Sequence, residues 1–192
     1  MANDVSAGIS GSTSTIAGRL ALAVTLLAFG LGFADVVDGV SAADAVAVAH
    51  YIGGVALFVA GLFAFRDHDT LNGTGFVAVG AFWFTWAVSA DRQVSDNAAG
   101  LFLLLFALIA LSLTVSGGDQ LAQGTYGLFL VALVLLAISR FAGNDSLAKV
   151  GGWFAVAAGA VAWYAATAAL AHWPTALPGR GRAAGRGVTA TG

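Results

Sequence analysis

From Leu101 to Leu113 the chain reads LFLLLFALIALSL, with no charge and no in–out alternation. A strand of a membrane barrel would alternate over about ten residues. A helix that is apolar on every side belongs in lipid or in a large core. Crossing ~30 Å of hydrocarbon takes about 20 apolar residues in a helix. Six segments meet that requirement: Ile16–Ala34, Ala45–Phe65, Gly73–Ser89, Ala98–Ser116, Leu121–Phe141 and Leu147–Trp173, the third being the shortest and Gly-rich. Of 192 residues, 59% are hydrophobic and 9% charged, against about a quarter charged in a soluble domain. The expected fold is an all-α integral membrane protein, a six-transmembrane-helix bundle.

The segments are joined by short polar connections such as RDHDTLNG, SGGDQ and AGNDS, so neighbouring helices are expected to pack antiparallel in one domain, residues 16–173. Residues 1–15 are polar and lack the basic start and apolar run of a cleaved signal. Residues 174–192 are rich in Pro, Gly and Arg and read as a disordered tail. Arg19, Arg66, Arg180, Arg182 and Arg186 fall on the side of the termini, and Arg92, Arg140 and Lys149 on the other. That bias predicts cytoplasmic N- and C-termini.

Two helices carry the same pattern of small residues, GG-x5-AG-x2-A: Gly53, Gly54, Ala60, Gly61 and Ala64 in the second, Gly151, Gly152, Ala158, Gly159 and Ala162 in the sixth. Small residues let helix backbones approach where lipid supplies no hydrophobic drive. Close packing is the simpler reading; a symmetry between the two helices around a pore, or an ancient duplication, is the other. Such faces also favour a homo-oligomer.

Enzyme motifs are absent, and no enzymatic activity is expected. Cysteine is absent, and the three histidines (His50, His68, His172) lie far apart, so no metal site or cofactor is expected. The net charge of −2 gives no basic surface for nucleic acid. The only lysine, Lys149, sits near a helix start, which excludes a retinal Schiff base. Ionisable residues inside a membrane are functional candidates. Arg140, at the end of helix five, reads either as a snorkelling interfacial cation or as the cation at the mouth of an anion path. Asp35 reads as a loop residue before a proton relay, and Arg19 as a cytoplasmic anchor. What is left for a solute path is neutral: hydroxyls (Thr25, Thr74, Thr85, Ser112, Thr114, Thr125, Tyr126, Ser139), Asn72, Asn144 and aromatics. Such a path suits a small, weakly hydrated solute.

The stretch GGVALFVAGLFAFRDHDTLNGTGFVAVGAFWFTW resembles the second and third helices of the acetate uptake transporter family, the succinate–acetate permeases. Gly53, Gly54, Ala60, Gly61, Gly73, Gly80, Phe82 and Trp83 carry the resemblance. A second block, LLAISRFAGNDSLAKVGGWFAVAAGAVAWYAA, is similar to the family's junction of helices five and six through Leu135, Leu136, Ala137, Ile138, Ala142, Gly143, Asn144, Gly152 and Trp153. The chain departs from the family at several places. TSTIAGRLALAV stands where the signature NPAPLGL is expected, Val79 stands where Tyr is frequent, and Arg140 replaces a small polar residue.

The resemblance implies a homohexamer in the plasma (cell inner) membrane, each protomer with its own monocarboxylate path. It also implies a hydrophobic constriction lined by Val79, Phe129, Ala21 and Leu22, with Thr25, Ala78 and Asn144 near it. Gly53, Gly54, Ala60, Gly61, Gly80, Phe82 and Trp83 are then packing and family-motif residues. Three functions are open at this point: a transporter or channel for acetate and related small monocarboxylates, a passive channel for a small neutral solute such as urea, a short amide or ammonia, and an assembly protein that conducts nothing.

Overall fold

Ser12 opens the first helix: its hydroxyl oxygen accepts the Thr15 N–H at 3.4 Å, satisfying one of the donors a helix start leaves unpaired. The structure, a computed structural model, describes residues 12–36, 38–39, 42–90 and 94–173. Arg92, Arg180, Arg182 and Arg186, most of the proposed polar N-terminal segment and the proposed tail lie outside the described residues.

The helices run α1 (Thr13–Ala34), α2 (Ala42–Ala49), a π-helical segment (His50–Ala56), α3 (Leu57–Arg66), α4 (Thr70–Ala90), α5 (Asp96–Val115), α6 (Gln120–Ala142) and α7 (Asp145–Leu170). Among the described residues α1, α4, α5, α6 and α7 are long and apolar enough to cross a membrane. The π segment and α3 make a shorter apolar helix, His50–Arg66, that follows α2 directly. The second expected span is thus a single helical path whose middle widens from i→i+4 to i→i+5 bonding at HYIGGVA.

The third span is longer than its apolar run predicts. Asp69 explains the extension: its carboxylate accepts the Asn72 backbone N–H at 3.2 Å and the Asn72 side-chain amide at 2.7 Å. This cap starts α4 at Thr70, before the apolar residues begin. At the AGN turn, Gly143 closes α6 with φ 59°, a conformation that costs a residue without Cβ little. Asn144 then caps α7 through Leu147 N–H at 3.2 Å.

Two ends can be told apart by contacts. At one, Ser14 meets Asp67 at 2.5 Å, Thr15 meets Asp69 at 3.0 Å and Arg19 meets Asp119 at 2.5 Å. The Ser14 and Ser12 hydroxyls hold the Asp67 carboxyl below its ordinary range. At the other, Lys149 meets Asp35 at 3.0 Å and Arg140 meets Asp96 at 3.1 Å. The described cations divide two and two between these ends, so the excess counted toward the termini rests on the arginines outside the described residues.

The repeated small-residue pattern serves two separate crossings. A Cβ on Gly61 would lie 2.8 Å from the Val77 backbone nitrogen and 3.0 Å from the Gly73 carbonyl oxygen, and one on Gly80 would lie 2.8 Å from the Phe58 nitrogen. These contacts join α3 to α4. A Cβ on Gly152 would lie 2.6 Å from the Ala34 nitrogen, and one on Gly159 would lie 2.8 Å from the Leu27 nitrogen, which joins α7 to α1. Gly53 fits between Thr25 and Trp83, and Gly54 lies against Phe84. Ala64, Ala158 and Ala162 are buried beside these glycines and Ala60 is half-buried.

Backbone cannot yield as a side-chain tip can. Gly61→Ala is therefore expected to lower the melting temperature of the detergent-purified protein by several degrees, a cost of about 1–3 kcal/mol. Gly127→Ala, whose new Cβ would meet only Thr114 Cγ2 at 3.5 Å, is expected to leave it unchanged. Equal melting temperatures for the two variants would show that the close α3–α4 approach is not holding the fold.

Candidate functional site

Phe82 stands at the centre of a cluster of rings drawn from four helices. Its ring lies nearly parallel to Phe102 (5.6 Å between centroids, 13°) and Trp86 (5.9 Å, 21°). Phe29 and Phe129 present themselves edge-on at 6.4 and 5.9 Å, and Phe106 lies tilted at 5.0 Å. Offset and edge-to-face pairs at these separations are attractive beyond their area burial. Phe82, Trp83 and Phe29 are fully buried. Together they plug the middle of the bundle.

The residues expected to form the constriction sit around this plug. Val79, Phe129 and Leu22 are buried, Thr25 is fully buried, Ala21 packs at the margin of the core, and Ala78 is half-buried. Thr25 donates its hydroxyl to the Ala21 carbonyl at 2.6 Å. Asn144 is placed differently: it is exposed and occupied with capping α7. The hydroxyl list also divides. Thr85 and Ser112 are exposed and donate back to the carbonyls of Ala81 and Leu108, and Thr114 does the same to Ala110. Such local bonds satisfy a hydroxyl within its own helix, so Thr85 and Ser112 face outward. Thr125, Tyr126 and Ser139 are buried, and Thr125 too donates back within its helix, to the Leu121 carbonyl at 2.9 Å.

On one side of the plug lies a cavity of about 420 Å³, walled by Phe33, Trp86 and Phe102 and rimmed by Ser89, Asp96 and Arg140. A second cavity of about 280 Å³ shares Phe33, Asp96 and Arg140 and adds Ser139, Asp145 and Lys149. Arg140 lines both. Its guanidinium donates to Asp96, and its carbon lies 6.0 Å from the Phe33 ring centroid. Arg140 therefore stands between the two cavities, and it is paired there. An ion pair this exposed, 37% and 70% for the two side chains, holds with ~0–1 kcal/mol. An incoming anion can compete for it.

On the other side the ring cluster gives way to Leu22 and Phe76, and beyond them to Arg19. Among the described residues Arg19 is the only charged side chain that is buried, 8% exposed. Arg19, expected as a cytoplasmic anchor, is held inside the helix packing: Asp119, the cap of α6 and itself 25% exposed, reaches across to its Nη2. A void of about 10 Å³ next to it is lined by Arg19, Asn72, Thr125 and Tyr126, with Leu22 and Phe76 on its apolar side. The buried interior of the described residues between the two arginines carries no other charge.

Phe29, Phe102 and Phe106 were not singled out by the sequence reading, although a signal was present. Phe29 and Phe33, Phe82 and Trp86, and Phe102 and Phe106 are each four residues apart, the spacing that puts two rings on one helix face. Three such pairs on three helices mark faces that meet.

The arrangement sets an arginine–aspartate pair at the rim of a ring-walled cavity, with the packed aromatic cluster beyond it. Comparison with known proteins gives the same fold. The bacterial acetate channel SatP superposes with a TM-score of 0.76 at 22% sequence identity, covering 84% of this chain and 93% of the channel. The glyoxylate pathway regulator of Yarrowia lipolytica is 28% identical over 109 residues. That match takes in 51% of this chain and 40% of the regulator, so the chain spans less than half of that relative. The profile of the GPR1/FUN34/yaaH family, the acetate transporter family to which the sequence resemblance pointed, matches residues 13–176, and the chain belongs to that family.

Proposed function

We propose that this chain carries acetate and related small monocarboxylates across the plasma membrane. In this reading residues 16–173 form one six-pass domain, with α2, the π segment and α3 as the second pass and both termini cytoplasmic. Six copies form a ring in which each protomer has its own path. The path runs from the Arg140 cavity past Phe82, Val79, Phe129 and Leu22 to the Arg19 end.

The observation that carries it is an arginine held at one opening by an exposed, weak ion pair, next to an uncharged interior. Arg140 raises the local concentration of an anion, and the interior offers no charge to trap it. A small acid with an apolar methyl group and one carboxylate matches both. The membership in an acetate transporter family and the fold shared with a bacterial acetate channel support the same substrate.

A neutral solute such as urea is the second reading. It is favoured by the fact that both arginines are already neutralised by aspartates. The ring-filled centre is also what a non-conducting assembly protein would have. A flux assay separates the three. Proteoliposomes holding the purified chain are expected to take up acetate well above empty vesicles, with urea at the background. Urea uptake without acetate uptake would reject the carboxylate reading, and uptake of neither would favour the third.

Two variants test the parts. Arg140→Gln is expected to lower acetate flux about tenfold at pH 7 and much less at acid pH, where more substrate is the uncharged acid. Equal loss at both pH values would remove Arg140 from the path. Phe82→Ala empties the centre of the plug, at a stability cost of about 3–5 kcal/mol. It is expected to admit longer acids such as butyrate that the parent excludes, read as the butyrate-to-acetate flux ratio. An unchanged ratio would place the path elsewhere.

A further inference from the structure

Both Arg–Asp pairs are described above, but they differ in kind. The Arg140–Asp96 pair is open to water. The Arg19–Asp119 pair is buried on the cationic side, 9% exposed at Arg19 and 25% at Asp119. A cation that is mostly removed from water needs an anion against it at all times, since losing the partner leaves an uncompensated charge. Asp119 supplies that anion from the start of α6. Beyond its Cα, an aspartate side chain is an acetate group on a tether. Asn72, Thr125 and Tyr126 line the same small void, with Leu22 and Phe76 on the apolar side. The Asn72 amide is already given to Asp69 at 2.7 Å and the Thr125 hydroxyl to the Leu121 carbonyl at 2.9 Å, so around Arg19 the chain offers a carboxylate the guanidinium and the Tyr126 hydroxyl, and a methyl group an aliphatic and an aromatic wall.

We infer that Arg19, with the Tyr126 hydroxyl beside it, forms an inner binding site for a small monocarboxylate, and that Asp119 occupies the site as a tethered stand-in until the substrate displaces it. The inference rests on the carboxylate reading above. The void of about 10 Å³ holds about one water and no acetate, so the structure is the form in which Asp119 has the seat. Asp119 has somewhere to go: its other oxygen already accepts the Ala122 N–H at 2.7 Å and caps α6, so release from Arg19 leaves it solvated and still bonded. A guanidinium offers five donors in a planar fork, and a free carboxylate can approach that fork in the bidentate geometry that the tether does not impose on it. Exchange of one carboxylate for another keeps Arg19 compensated throughout, which lets a buried cation serve a transport path without trapping the anion.

The test uses the full chain in detergent, with Arg140→Gln in every sample to silence the other mouth. Thermal stability is followed against sodium acetate, with sodium chloride at equal ionic strength as the control. Asp119→Asn removes the stand-in charge and keeps the cap, since Asn caps a helix as well as Asp does. This variant is expected to melt lower in chloride and to be restored by acetate, with half-maximal restoration at an acetate concentration about tenfold below that for the parent. Arg19→Gln is expected to abolish the acetate-specific stabilisation. A response of Asp119→Asn to acetate no greater than to chloride overturns the site. If Asp119→Asn does not fold, Arg19→Gln decides alone, because it leaves Asp119 capping α6: a retained acetate response overturns the site. Wild-type acetate flux with an unchanged acetate response in Arg19→Gln removes only this site, whereas absent wild-type flux removes the transport reading.

Discussion

Lipid offers helices no hydrophobic reason to associate, so the bundle depends on how closely backbones can approach. Gly61 against Val77 and Gly73, and Gly152 and Gly159 against α1, set that distance at two crossings. Dispersion falls steeply with separation, and a single added methyl at these points would hold the helices apart along their whole contact. The crossings place α1 and α4 beside each other with Phe29 and Phe82 turned inward. The ring cluster fills the middle of the bundle that these crossings hold together.

The charged groups obey a related constraint. A cation near hydrocarbon must be paired or reach water. Arg140 and Lys149 do both, with Asp96 and Asp35 as exposed partners. Arg19 is covered and has Asp119. The outcome is a molecule with an arginine–aspartate pair toward each end and an uncharged buried interior between them among the described residues.

The fold is unevenly legible in the chain, and particular residues show why. The apolar run at Leu101–Leu113 and the other long apolar helices, α1, α4, α6 and α7, were legible because span length is a one-dimensional property. The packing glycines were legible because the pattern GG-x5-AG-x2-A stands out from its surroundings. Which helix each pattern meets was not, because α7 returns to α1 across more than a hundred residues. The burial and partner of Arg19 were hidden for the same reason: Asp119 is a hundred residues away, and only the fold brings α6's cap to α1. Asn144 belongs to the family-like AGN turn, and its capping bond to Leu147 accounts for its place without a solute. The π segment has no signal in hydropathy at all, since Gly53 and Gly54 are compatible with an α-helix as well.

The hydroxyls that bond back to their own helices have a consequence for whatever surrounds the protein. Thr85 and Ser112 on the outer faces of α4 and α5 have their donors engaged inside the helix, and around them lie Phe84, Leu101, Leu105, Leu108 and Leu111. A neighbour on this surface, whether acyl chain or protein, finds hydrocarbon relief in place of hydrogen-bond partners. Contacts made there are governed by contour and by the thickness of the bilayer, and will be as sensitive to lipid composition as to amino-acid sequence.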